Sequence, residues 1–263
     1  MKTMNFILPQ IITKAGNIAK SHFKSKEFGV SLKEDQSYLT DADLAVQNFI
    51  IGKLQKFYPN IPIIAEEDKL DGTILSESQF TWIIDPIDGT SSFVGDTANW
   101  VTAIGLLEYG IPCAGWVYSP MTEQLYSAPL GDNRSYVNDE ILSVLDEDRE
   151  LQKSDSITIT TRTLHYYNLH HVGRTYSHGS NLLHFCLTSS GNCIACLSAN
   201  NKVWDICPAF EISKRAGCCI KYIDGSSIDF LEILSREDKT MKKDVLVCKQ
   251  QMWDRVKQVF LPL

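Results

Sequence analysis

Thr81-Trp82-Ile83-Ile84-Asp85-Pro86-Ile87-Asp88-Gly89-Thr90-Ser91-Ser92-Phe93 is an apolar run that ends in two carboxylates, a glycine and a hydroxyl. Its first half reads as a buried strand, and Pro86, which cannot donate to a central ladder, marks where the pairing should stop. The spacing of Asp85 and Asp88 puts the two acids on different sides of the chain. Carboxylates this close repel one another unless a positive charge sits between them. A hard divalent cation fits best, since Mg2+ takes carboxylate and carbonyl oxygens and leaves positions for water and phosphate. Gly89 permits a backbone conformation that other residues resist. Gly89, Thr90 and Ser91 would then present backbone N–H groups at the start of a turn or short helix, a geometry suited to a phosphate. The plain alternative is an Asp-rich turn after a strand.

Upstream, Ile61-Pro62-Ile63-Ile64-Ala65 reads as a short strand that runs into Glu66-Glu67-Asp68, with Glu66 expected to turn inward and Asp68 to be solvated. Lys69 to Gln79 reads as the loop between the two strands. Earlier still, Ile7, Ile11, Ala15, Ile18 and Ala19 share one face of a helix running to about His22. Leu44, Val46, Phe49, Ile50, Leu54 and Phe57 share a face of a second helix, which opens at Thr40-Asp41-Ala42-Asp43 and stops before Pro59. Thr40 and Asp43 have capping-box spacing, which by itself accounts for Asp43.

Downstream, Trp100 to Leu107 and Ile111 to Tyr118 read as a hairpin around Glu108-Tyr109-Gly110, with Gln124 to Ala128 as a third strand, so the sheet is at least partly antiparallel. Asp132 to Asp155 is acidic and irregular and reads as a boundary between two halves, about 1–145 and 146–263, of a single unit spanning 1–263. In the second half Ser156 to Thr160 is a strand, and Gly179-Ser180 opens a helix to Ser189. Asn192 to Ser198 is a further strand, and Val203 to Phe210 begins a helix ended by Gly217, with Asp205 at its N-cap and Pro208 in its first turn. A carboxylate there can cap, or complete a metal site. A strand near Val245 to Val247 and a last helix finish the chain.

At 263 residues and 44% hydrophobic content the chain can bury a sizeable core. Its net charge of −7 and its lack of a basic stripe argue against nucleic-acid binding. No apolar run is long enough to span a membrane, and Pro9-Gln10 sits where a signal peptide would be apolar, so the cytoplasm is the expected location. The eight cysteines read as reduced, buried thiols; Cys193-Ile194-Ala195-Cys196 has zinc or redox spacing but lacks a second pair. His170-His171 have no partner at helical spacing that would suggest a metal site.

Taken together, Glu66-Glu67, Asp85-Pro86-Ile87-Asp88-Gly89-Thr90, and Trp204-Asp205 near Pro208 and Ala216-Gly217, in this order, resemble the inositol monophosphatase family over roughly Leu32 to Gly225. The resemblance implies a layered α/β/α/β/α sandwich, with mixed and partly antiparallel sheets, that hydrolyses a small phosphate monoester with two or three Mg2+ and is inhibited by Li+. It implies Glu66, Asp85 and the Ile87 carbonyl as ligands of one Mg2+, and Asp85, Asp88 and Asp205 as ligands of a second. Lys33 matches a family lysine near a third, weaker position, and Glu67 is a further candidate there. Thr90, with Asp43 behind it and Glu66 beside it, corresponds to the group that passes on the proton of the attacking water or fixes the water's direction. Gly89, Thr90, Ser91, Gly179, Ser180, Ser198 and Asp205 are the implied substrate contacts. The resemblance also implies a homodimer whose partner is a small phosphorylated metabolite.

Haloacid-dehalogenase-like phosphatases place their two aspartates one residue apart, whereas Pro86 and Ile87 separate the pair here. An interaction protein without catalysis would not retain every ligand, although some bacterial relatives also act in transcription complexes. The chain departs from the family at Ala65, at Cys218-Cys219, along Gly131 to Glu140, and at Ser198. Inositol-specific members carry a glutamate at this last position, six residues before the Trp-Asp pair. Inositol phosphate, fructose bisphosphate, a 3′,5′-bisphosphonucleotide and histidinol phosphate all remain candidate substrates.

Overall fold

The computed structural model describes residues 2–68, 78–144, 148–170 and 173–263. The expected loop Lys69 to Gln79 lies outside them except at its last two residues, as does His171.

The quoted stretch forms the strand Phe80–Asp88, which alternates as a two-sided strand must. Trp82 and Ile84 pack with the N-terminal helices, and Ile83 packs on the opposite side. It lies second in a seven-stranded sheet, parallel to Ile63–Ala65 and antiparallel to Val101–Glu108. Ile111–Ser119, Gln124–Ala128, Ser135–Val137 and Glu140–Leu142 follow in antiparallel order. Ser135–Val137 and Glu140–Leu142 correct the expectation of irregular chain after Asp132: this stretch supplies the last two strands of the sheet.

Helices Lys2–Ser25 and Asp41–Phe57 cover one face of this sheet, burying Leu8, Ile12, Val46 and Ile50 against Trp82, Trp100 and Trp116. The first helix runs through Pro9 and is longer at both ends than the apolar spacing indicates. Helices Asn181–Ser189 and Cys207–Arg215 cover the other face, with Phe185, Ala209 and Ile212 in a core shared with Ile83, Ala103 and Val117. Beyond them lies a five-stranded sheet in the order Arg174–Tyr176, Ser156–Ile159, Ala195–Ser198, Val245–Lys249, Cys218–Tyr222. Its outer face packs on Met252, Val256 and Phe260 around the short helix Trp253–Lys257. The layers therefore run α/β/α/β/α, as the resemblance implies.

The helix Cys207–Arg215 approaches the hairpin closely because two glycines face it. A Cβ on Gly105 would lie 2.8 Å from Cys207 Sγ, and one on Gly115 would overlap the Pro208 carbonyl. All eight cysteines are unpaired and seven are buried. Among the described residues no helix is long and apolar enough to cross a membrane.

Candidate active site

The strand Phe80–Asp88 does not stop at Pro86. Asp85 pairs with Ala103 and Asp88 with Val101, so Pro86 and Ile87 together oppose the single residue Thr102. This is a bulge, the one interior setting in which a proline costs no ladder hydrogen bond. The extra residue also changes the parity of the strand. Asp85 and Asp88 would face opposite sides without it, and with it they face the same side. The expectation that the pair diverges is thus corrected: Asp85, Asp88 and Asp205 each offer an oxygen, and the three oxygens lie within 4.8 Å of one another.

The three carboxylates are held differently. Asp88 Oδ2 accepts hydrogen bonds from Ser180 Oγ at 2.5 Å and from Leu182 N–H at 2.7 Å, both at the start of the helix Asn181–Ser189, which Ser180 caps. Asp205 Oδ2 accepts from the Lys202 N–H at 2.6 Å. Asp205 is not the cap expected of it, because the helix begins at Cys207 and Ile206 occupies the N-cap; Asp205 belongs to the turn before it. Asp85 is 1% exposed, and neither of its carboxylate oxygens has a hydrogen-bond partner among the described residues.

Burial, with the charges of Glu66, Asp88 and Asp205 added, pushes the Asp85 carboxyl well above the ordinary range. Burial and the charges of Asp88 and Glu66 do the same to Asp205. Asp88 is pushed up to about 6 by burial, and the Ser180 and Leu182 donors oppose the rise. Orphaned carboxylate oxygens beside two further buried carboxylates form a hard-oxygen donor set that fits a divalent cation.

Glu66 adjoins this group through its effect on Asp85 but stands outside the trio. Lys33 Nζ donates to Glu66 at 2.7 Å and to Glu67 at 2.6 Å. Burial works against its ammonium, but the two glutamates hold its pKa above the usual lysine value. Glu67, with its side chain 4% exposed, lies deeper than Glu66 at 18%, the reverse of the expected order, whereas Asp68 is exposed as expected.

Asp43 does two things at once. Its Oδ2 closes the capping box with the Thr40 N–H at 2.8 Å and Oγ1 at 2.5 Å, while its Oδ1 lies 3.5 Å from Thr90 Oγ1. Burial raises its pKa to about 6 against those two hydrogen bonds. Thr90 Oγ1 also donates to the Ile87 carbonyl at 2.9 Å. Gly89, at φ 93°, is the N-cap of the short helix Thr90–Val94, in the left-handed region that a glycine fills at least cost. A Cβ there would come within 3.0 Å of both the Asn99 carbonyl oxygen and Ser180 Cβ. Gly179 packs against Ser91 and Ser92, and Ser92 Oγ donates to the His178 carbonyl at 2.8 Å, so the loop 178–180 lies against this turn.

Ser198 lies in the interior. It is fully buried, and its hydroxyl donates to Asn201 Oδ1 at 2.5 Å. Sequence reasoning missed Gln47, which receives the Glu67 N–H at 3.0 Å and donates to Asp68 Oδ1 at 2.9 Å. The available signal was a polar residue one helical turn after Asp43 on an apolar stripe.

Buried carboxylates gathered where a strand end of one sheet meets the helix layer are the donor set that a metal-dependent phosphatase requires. Residues 1–257 match the inositol monophosphatase family, and this chain belongs to it. It is 37% identical to the 3′(2′),5′-bisphosphate nucleotidase CysQ of Buchnera aphidicola over 120 residues, a match covering 45% of each chain. It is 29% identical to CysQ of Salmonella typhimurium over 229 residues, 84% of this chain and 91% of that one. The extragenic suppressor protein suhB of Bartonella henselae superposes with a TM-score of 0.83 at 22% identity, over 98% of both chains.

Proposed function

We propose that the protein hydrolyses a small phosphorylated metabolite, with Mg2+ held by Asp85, Asp88 and Asp205 and a second ion held by Glu66, Asp85 and the Ile87 carbonyl. The observation that carries this is the fully buried Asp85 with both oxygens unpartnered beside two further acids. Bound there, the cations would relieve charge on the phosphoryl oxygens and acidify a water. The chain's own residues supply the rest. Thr90 would orient the attacking water, and Asp43 Oδ1, left free by the cap, would take up its proton through the Thr90 hydroxyl. The N–H groups of Gly89, Thr90 and Ser91 would receive the phosphate, and Gly179, Ser180 and Asp205 would border the rest of the ester. Lys33, fixed on Glu66 and Glu67, would take the place of a third cation. Membership of the family supports inhibition by Li+, a homodimeric state, a cytoplasmic setting and action by both halves as one unit.

The test is phosphate release from a panel of monoesters by the purified protein, with and without Mg2+. Release is expected only with the metal, and Asp85→Asn should abolish it. The same substitution should raise the melting temperature of the metal-free protein, because an amide escapes the penalty that burial and the neighbouring acids impose on a carboxyl there. Turnover that survives excess chelator would overturn the reading.

A further inference from the structure

Asp88 and Asp205 are delivered by different elements, and one buried side chain links the two. Asn181, the first residue of the helix whose opening turn holds Asp88, donates from Nδ2 to Asn201 Oδ1 at 3.0 Å. The same oxygen receives Ser198 Oγ at 2.5 Å, and Asn201 Nδ2 donates to the Ser198 carbonyl at 2.9 Å. The Asn201 carbonyl accepts the Met241 N–H at 2.8 Å, and Asn201 is 0% exposed. It is thus fixed to the end of one strand and to the 239–241 segment. The next residue, Lys202, gives its N–H to Asp205. A continuous path therefore runs from Asp205 through Lys202, Asn201 and Asn181 to Leu182 and Ser180, and so to Asp88. Its one side-chain bridge between the two elements is the pair Asn181–Asn201.

We propose that Asn201, acting through Asn181, is a positioning residue that sets the separation of Asp88 and Asp205. This rests on the metal reading above. A carboxamide suits the task. It receives two donors on one oxygen and gives a hydrogen on the other side, with no charge added beside the acids. A carboxylate in its place would repel them.

The experiment uses calorimetric titration of the full-length protein with Mg2+ in the absence of substrate, alongside kcat at saturating metal and the melting temperature. Asn181→Ala removes the bridge but leaves Asn201 bonded to Ser198, and position 181 is only half-buried, so the variant folds. Its Mg2+ affinity is expected to fall about tenfold, with kcat at saturating Mg2+ held within about threefold. Asn201→Ala should weaken metal binding at least as much, and adding Asn181→Ala to it should cause no further loss. Ser189→Ala removes a buried hydrogen bond to Ser213 elsewhere in the helix layer. It should lower the melting temperature and leave Mg2+ affinity unchanged. An Asn181→Ala protein with wild-type Mg2+ affinity, whatever its melting temperature, overturns the clamp. A wild-type protein that takes up no Mg2+ overturns the metal reading and the clamp with it.

Discussion

A threonine hydroxyl is too weak an acid and base to act alone, so the value of Thr90 lies in where its two neighbours hold it. The Ile87 carbonyl at 2.9 Å and Asp43 Oδ1 at 3.5 Å give the proton two acceptors on one side of the oxygen, leaving a lone pair for a water's hydrogen. Thr90→Ala is accordingly expected to lower kcat by about 10²-fold, in the range of general acid–base groups, while Mg2+ affinity stays nearly intact. Calorimetry and kinetics on one preparation decide this, because a parallel fall in both would make Thr90 part of the metal site. His184 is a second residue whose state is set by burial. It is 0% exposed, and its Nε2 accepts the His178 N–H at 2.9 Å, so the folded protein needs the ring neutral. Burial, with the charge of His178 added, lowers its pKa from 6.5 to about 3. Between those values the unfolded chain binds a proton that the folded chain does not. The stability due to the neutral ring is therefore fully present above about 6.5 and drains away as pH falls toward 3, at up to about 1.4 kcal/mol per pH unit. His184→Gln keeps an acceptor and does not titrate. The stability difference between wild type and this variant should move against wild type as pH drops from 7 to 4, and urea melts at several pH values would show a flat difference if the ring were already charged.

At the scale of elements, the helix Cys207–Arg215 is seated by absence of side chain. Gly105 and Gly115 let it lie directly on the hairpin, and Asp205 leaves the turn at its head. Gly115→Ala must push the Pro208 carbonyl away, and overpacking of this kind costs about 1–3 kcal/mol. The expected result is a lower urea midpoint together with weaker Mg2+ binding, since the displaced helix carries Asp205 with it. A wild-type midpoint would mean that the hairpin yields instead. Much of this architecture is legible in the sequence, for reasons that differ by element. Helix Asp41–Phe57 can be read from its apolar stripe and capping box, and the strand Gln124–Ala128 from its alternation, because both signals are local. The bulge at Pro86–Ile87 cannot be read, because it exists only in the pairing with Thr102. The side on which Asp88 emerges follows from that pairing. The last two strands of the sheet, Ser135–Val137 and Glu140–Leu142, are hidden for a related cause: three residues each, in a polar stretch, they are strands only by continuing a sheet already formed. At the site, the motif residues declare themselves, but the groups that hold them do not. Gln47, Asn181 and Asn201 are ordinary polar residues until folding places them beside a carboxylate.

For the whole molecule, the remaining choice is the leaving group of the ester, and it turns on what the second half presents beside the carboxylates. Inositol-specific members of the family set a glutamate six residues before the Trp-Asp pair, where it meets a ring hydroxyl. Counting back from Trp204 gives Ser198, which has no exposed surface and has already committed its hydroxyl to Asn201. The neighbours do not replace it. Asn201 is fully buried within the same network, and Asn200 is exposed, with φ 57° and its N–H on Asp244 Oδ1. A hydrogen bond to a charged group is worth about 1.5–3 kcal/mol, so the missing carboxylate should cost roughly 10- to 150-fold in preference for the inositol ring. The ordering of substrates therefore rests on Ser198 and its neighbours, whose polar groups are committed within the protein. The expected order places inositol 1-phosphate at least tenfold in kcat/KM below the leading member of a panel that includes a 3′,5′-bisphosphonucleotide, fructose 1,6-bisphosphate and histidinol phosphate. The separation should appear in KM more than in kcat, because Asp43, Thr90 and the carboxylate trio act on the phosphoryl group that all four substrates share. Inositol 1-phosphate leading the panel by tenfold would sink this ordering and leave the phosphatase chemistry standing.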